Sequence, residues 1–192
     1  MCGFIGALSN QPINHQKLLN VNKRLECRGP DQKVDIKGNL NEFNENLNLN
    51  HSLIFNRLSI IDLSDNATQP MFSRQFNTLI MFNGEIYNHR ELRTELEKKK
   101  VDFNTSHSDT ELLLNGLSVE GISFVNKLIG QFAIIFFNFN TGRTFLIRDR
   151  IGQKPLFYFL NKETFMFSSN LKSLSELIRN VEIDFQSYSE YL

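Results

Sequence analysis

Met1-Cys2-Gly3-Phe4-Ile5-Gly6 opens the chain, and Gly3 to Leu8 reads as a buried strand. A small residue in second place favours removal of the initiator methionine. Cys2 would then carry a thiol and a free α-amine on one residue. The thiolate is the attacking species of a cysteine, and an α-amine titrates near pH 8, so the pair is a nucleophile with its own base. The competing reading makes Cys2 a small apolar residue packed at the start of the strand.

Working outward, Ile13 to Leu25 has helical spacing, with Leu18, Val21 and Leu25 on one face, and Arg28-Gly29-Pro30-Asp31 ends it. The Asn-rich stretch from Gly38 to Asn50 reads as a surface loop leading into a strand around Leu53 to Phe55. Leu79 to Phe82 reads as a strand that stops at Asn83-Gly84, a dipeptide suited to positive φ. His89 to Lys100 is an amphipathic helix with Leu92 and Leu96 facing inward. Ser108-Asp109-Thr110-Glu111 matches a capping box ahead of Leu112 to Leu114. Phe132 to Phe139, Thr144 to Arg148, Leu156 to Phe159 and Thr164 to Phe167 read as a late antiparallel meander, with a closing helix around Asn170 to Arg179. This order gives an α+β layered domain, not a doubly wound one.

The 192 residues suit one domain and carry a formal net charge of zero, so there is no long-range attraction to nucleic acid or to anionic lipid. Eighteen Phe and no Trp assign the core filling largely to phenylalanine. The apolar runs are too short to span a bilayer. Two cysteines, Cys2 and Cys27, make no disulfide framework and suit the reducing cytoplasm. His15, His51, His89 and His107 are scattered and read as surface or loop residues, so no metal site is expected.

Six segments occur in order: Met1 to Gly6, Arg28 to Asp31, Arg57-Leu58-Ser59-Ile60-Ile61-Asp62, Asn83-Gly84-Glu85-Ile86-Tyr87-Asn88, Ser108 to Glu111, and Arg148-Asp149-Arg150-Ile151-Gly152-Gln153-Lys154-Pro155-Leu156. Together they resemble the class II glutamine amidotransferase domain of glutamine-hydrolysing asparagine synthetases, across residues 2–192. The resemblance implies a four-layer αββα sandwich of the N-terminal nucleophile hydrolase type, two antiparallel sheets between helical layers. It implies hydrolysis of L-glutamine through a glutamyl thioester on Cys2, with the α-amine moving the proton. Asn83 and the backbone N–H of Gly84 would hold the oxyanion, against the plainer reading of a turn. Arg57 would hold the substrate carboxylate and Asp109 its ammonium, helped by Glu85, with Ile60 and Ile61 giving backbone contacts. The plainer readings make Arg57 a surface charge and Asp109 part of a helix cap.

Arg28 and the stretch from Arg148 to Leu156 resemble segments that face a synthetase domain or shape the ammonia exit. The chain departs from the family pattern at Cys27 (usually His), Gln131 (usually Met) and Asn170 (usually Glu), all expected away from the glutamine pocket; Cys27 is expected to pack. No Ser-Gly-Gly-type pyrophosphate loop is present, so the ATP-dependent synthetase domain is absent and the chain reads as a fragment of a longer protein. No cofactor is expected here; ATP and Mg belong with the missing domain, which would receive the ammonia. A homodimer is compatible with the sequence. Two other functions fit less of the pattern: the same glutaminase amidating another carboxylate in surface-sugar or secondary-metabolite synthesis, and a catalytically silent docking domain.

Overall fold

Strand alternation organises the molecule, which we describe from a computed structural model covering residues 2–59, 67–178 and 186. Among the described residues nine strands form two antiparallel sheets. The first has the order β2-β3-β1-β9-β8, built from β1 (Gly3–Ser9), β2 (Gln32–Asn39), β3 (Asn50–Arg57), β8 (Phe157–Leu160) and β9 (Thr164–Ser168). The second is β4-β5-β6-β7, built from β4 (Met71–Ser73), β5 (Thr78–Ile86), β6 (Gly130–Asn138) and β7 (Arg143–Arg148). Helices α1 (His15–Asn22) and α4 (Leu171–Leu177) cover the first sheet, and α2 (His89–Lys98) and α3 (Asp109–Glu120) belong to the layer over the second.

Because side chains alternate between faces of a strand, each sheet feeds two apolar layers. Ile5 and Ala7 of β1 meet Leu18, Val21 and Leu177 of the helices, while Phe4 and Leu8 point the other way. On β5, Ile80, Phe82 and Ile86 pack under Leu113 and Leu117, while Leu79 and Met81 enter the layer between the sheets. Phenylalanine dominates this middle layer: Phe4, Phe55, Phe137, Phe139 and Phe167 are all buried there. The four-layer α+β expectation is met.

Several local expectations are corrected. The strand from Thr78 continues through Asn83 and Gly84 to Ile86, and Gly84 does not have positive φ. Gly84 is needed because β6 lies too close for a side chain: an added Cβ would sit 2.1 Å from the Gln131 carbonyl oxygen. The late strands do not form one meander. β6 and β7 complete the second sheet, whereas β8 and β9 cross to the first, where β9 pairs with β1. Strand β2 lay hidden in sequence because it is an edge strand carrying Lys33, Asp35 and Lys37, charges that protect an open edge. The first helix is shorter than its apolar spacing, ending at Asn22 before a 3-10 turn over Glu26–Arg28.

The capping box is only half present. Ser108 Oγ accepts from the Glu111 N–H at 3.2 Å, but the Glu111 carboxylate turns to the N–H groups of Asn104 and Thr105, at 2.7 and 2.8 Å. His51 is buried on β3 beside Phe43, not on the surface or in a loop. His15 opens α1, with Nδ1 2.8 Å from Ser52 Oγ and Nε2 3.0 Å from Asp35, and so ties the helix to β2 and β3. Cys27 is exposed, not packed, with Sγ 3.6 Å from the Arg24 carbonyl oxygen.

Candidate active site

Cys2 precedes β1 by one residue and lies on the side of Phe4, against the layer between the sheets. Odd positions of β5 face the same layer, which brings Asn83 toward Cys2 from the opposite sheet. A cavity of about 240 Å³ opens there, lined by Cys2, Arg57, Asn83, Gly84, Glu85 and Asp109 among others. Six expected site residues from separate parts of the chain thus share one cleft. Ile60 and Ile61 lie outside the described residues.

Cys2 is held from behind. Arg28 Nε donates to the Cys2 carbonyl oxygen at 3.2 Å, so Arg28 braces the backbone at the thiol. Gly29 lies against β3, where an added Cβ would fall 2.2 Å from the Asn56 carbonyl oxygen. Asp31 takes the Ser59 N–H at 2.7 Å, and the Asp31 N–H donates to the Arg57 carbonyl oxygen at 3.1 Å. Arg28 to Asp31 is therefore a frame for Cys2 and Arg57. The Leu58 N–H approaches Cys2 Sγ at 3.4 Å. Burial pushes the thiol up from its ordinary value, Leu58 and the Arg57 charge pull it back in part, and Asp109 adds to the rise. A thiol raised above its ordinary value is protonated at neutral pH.

Asn83 is 1% exposed, and its Nδ2 has no hydrogen-bond partner among the described residues. A buried amide donor without a partner is costly unless a ligand receives it. The Gly84 N–H adds a second donor by a strand argument. Gly84 lies opposite Phe132, but Phe132 exchanges its N–H and carbonyl with Asp149, at 3.1 and 2.9 Å. Antiparallel residues turn both backbone groups to one side, alternating along the strand. The Gly84 N–H consequently points away from β6, toward the edge that β4 leaves open beyond Met71.

Across the cleft, Arg57 is buried at the end of β3, where Nη1 donates to Gln32 Oε1 at 3.4 Å. Asp109 is 7% exposed in the first turn of α3, with Oδ2 accepting from the Ile86 N–H at 3.3 Å. Glu85 is exposed and lines the mouth.

The sequence profile of the family described as Glutamine amidotransferase domain matches residues 1–192. The chain belongs to this family. Asparagine synthetase [glutamine-hydrolyzing] 1 of Bacillus subtilis (strain 168) is 36% identical over all of this chain and 29% of its own length. The second asparagine synthetase of that strain is 35% identical, covering 91% of this chain and 22% of that protein. The amidotransferase domain thus spans less than a third of either relative. Among solved structures, the glutamine phosphoribosylpyrophosphate amidotransferase of B. subtilis, in complex with ADP and GMP, superposes with a TM-score of 0.69 at 18% identity. It covers 93% of this chain and 45% of that one, and shares the fold.

Within the amidotransferase domain, one expectation about the pocket fails. Gln131 lines the cleft opposite Glu85, so this departure from the family pattern lies at the candidate site and not on a remote face. Lys154 lines it as well. Its loop is shaped by Arg148, whose Nε and Nη2 donate to the carbonyls of Lys154 and Gly152 at 2.7 and 2.6 Å. Asp149 stabilises the same loop. Its desolvation is outweighed by N–H donors from Gln153, Lys154, Phe132 and Ile151, which hold the carboxyl below its ordinary range. Gln69 and Thr110 are pocket residues that sequence reasoning missed; Gln69 directly before a proline looks like a turn residue. Among the described residues no cluster of three or more metal-ligating side chains occurs, and no helix is long and apolar enough to cross a membrane.

Burial raises the Asp109 carboxyl to about 6, partly opposed by the Ile86 N–H and the nearby His89. Pairing of Asp109 with a substrate ammonium would require the charged form, so affinity would fall as pH drops through that value. KM for glutamine is expected to rise about ten-fold per pH unit below 6. Initial rates between pH 7.5 and 5 check this, and a flat KM contradicts it.

Proposed function

We propose that the amidotransferase domain hydrolyses L-glutamine to glutamate and ammonia with Cys2 as nucleophile. The observation that carries the reading is the buried Asn83 amide, without a hydrogen-bond partner among the described residues, in the cleft that Cys2, Arg57 and Asp109 also line. Removal of Met1 frees the α-amine of Cys2, which takes the thiol proton as Sγ bonds to the substrate carboxamide carbon. Asn83 Nδ2 and the Gly84 N–H donate to the resulting oxyanion. Collapse breaks the C–N bond, and the α-ammonium returns its proton to the departing ammonia. The α-amine then deprotonates water, which attacks the thioester and releases glutamate and the thiol. Arg57 pairs with the substrate carboxylate in the planar geometry that guanidinium allows, Asp109 with the ammonium, and Glu85 closes the ammonium side.

Asparagine synthesis in a longer protein is the use of ammonia that the names and lengths of the relatives support, and the sequence resemblance adds aspartate as the acceptor and ATP and Mg in a second domain. Two free thiols suit a reducing compartment, the cytoplasm. The test is stoichiometric release of glutamate and ammonia from glutamine by the purified chain. Transfer of amide ¹⁵N to aspartate by the longer protein then tests the acceptor. Absence of glutamine turnover by a chain with a free Cys2 amine refutes the reading.

A further inference from the structure

Gln69 is 4% exposed and places its side-chain amide against the backbone of Phe82, the residue before Asn83. Its Oε1 accepts from the Phe82 N–H at 2.6 Å, and its Nε2 donates to the Phe82 carbonyl oxygen at 3.2 Å. These are the two bonds that a paired strand residue would make. The register explains why. Met71 of β4 lies opposite Ile80, so the next hydrogen-bonded place on that edge, opposite Phe82, falls to Gln69. Pro70, which has no N–H, intervenes, and the chain leaves the sheet there to line the cleft with Gln69 and Ala67. The side chain of Gln69 therefore extends the ladder by one place after the backbone has turned away.

The next backbone group along that edge is Gly84, whose N–H is left facing the cleft by the same alternation. Gln69 Nε2 also donates to Thr110 Oγ1 at 3.2 Å, and Thr110 adjoins Asp109 at the start of α3. One buried amide thus links the strand that bears the oxyanion donors to the helix that bears the ammonium site. We infer that Gln69 is a positioning residue for glutamine hydrolysis, fixing the Asn83 and Gly84 donors relative to Asp109 by completing the β5 edge with its side chain. The inference rests on the glutaminase reading above.

A primary amide suits this place because it offers an acceptor and donors together. Methionine has the length but neither function, and leaves the Phe82 N–H and carbonyl unpaired. An ionised glutamate only accepts, and sets a negative oxygen against the Phe82 carbonyl. A protonated glutamate again presents one donor and one acceptor, and burial raises its pKa. The experiment measures kcat and KM for glutamine in the parent, Cys2→Ala, Gln69→Met and Gln69→Glu chains. It also follows alkylation of Cys2 by iodoacetamide, which needs neither oxyanion donors nor the ammonium site. Gln69→Met is expected to lower kcat/KM roughly ten- to a hundred-fold, the scale of a small misplacement of catalytic groups, with Cys2 alkylation unchanged.

Gln69→Glu is expected to recover with acid. Its kcat relative to the parent at the same pH rises between about pH 8 and 6, a ratio from which shared titrations of Cys2, Glu85, Arg57, Asp109 and Lys154 in the cleft cancel. That ratio decides the matter even if Gln69→Met does not fold. An active parent, silenced by Cys2→Ala, with parental kcat/KM in Gln69→Met or a pH-independent ratio in Gln69→Glu overturns this inference alone. A parent with a free Cys2 amine that does not turn glutamine over overturns both.

Discussion

Replacing Cys2 by alanine is expected to remove glutamine hydrolysis, with a loss on the order of 10⁶ in kcat, the scale on which enzymes fail when their nucleophile is deleted. The effect should be chemical and not structural. Among the described residues the Cys2 thiol makes two weak hydrogen bonds, both with the Leu58 backbone, while the neighbouring backbone is held independently by Arg28 and by the pairing of Gly3 with Asn56. The variant should therefore unfold within about 1 kcal/mol of the parent. Glutamate release and chemical denaturation measured on the same preparation separate the two effects. A Cys2→Ala chain that turns over glutamine at the parental rate would remove the basis of the mechanism.

Asn83→Asp carries the second large effect. The substitution preserves size and shape at a position with almost no exposure, yet replaces the unpartnered N–H donor with a carboxylate oxygen. Removing one such donor costs about 3 to 4 kcal/mol of transition-state stabilisation, which is roughly 10² to 10³ in kcat. A negative charge aimed at the oxyanion should make the aspartate at least as damaging as Asn83→Ala. KM should change little in the alanine variant, because Arg57 and Asp109 hold the substrate's other end. Steady-state kinetics decide it: a rise in KM with unchanged kcat would assign Asn83 to ground-state binding.

The layered fold was legible because most strands and helices carry their periodicity openly. Phe4 and Ile5 divide between two layers, as do Met81 and Phe82, and the resulting alternation fixes which residues meet between the sheets. What stayed hidden depends on neighbours distant in sequence. Asn83-Gly84 has the composition of a turn, but β6 on one side draws it into a strand, where the missing Cβ serves close packing and not positive φ. Strand β2 is legible only once β3 is beside it, since its charges face outward at an edge.

The site divides in the same way. Cys2, Arg57, Asn83 and Asp109 stand in segments whose pattern points to their chemistry, and the cleft gathers them. Gln69, Thr110, Gln131 and Lys154 were missed because their importance comes from geometry: a side chain standing in for a strand, a helix hydroxyl, a β6 neighbour of Glu85, and a loop bent by Arg148. Glu111 shows that a motif can mislead about its own bonds, since its carboxylate serves Asn104 and Thr105 instead of closing the capping box.

The central claim is that Cys2, freed of Met1, attacks the glutamine carboxamide carbon within this cleft. The intact mass of the purified chain after incubation with a diazo-ketone analogue of glutamine tests it in one spectrum, with peptide mapping to locate the label. The account predicts loss of Met1 and a single adduct on Cys2, suppressed by excess L-glutamine. A folded chain that has lost Met1 and gains no adduct, or gains one at the exposed Cys27, would contradict it.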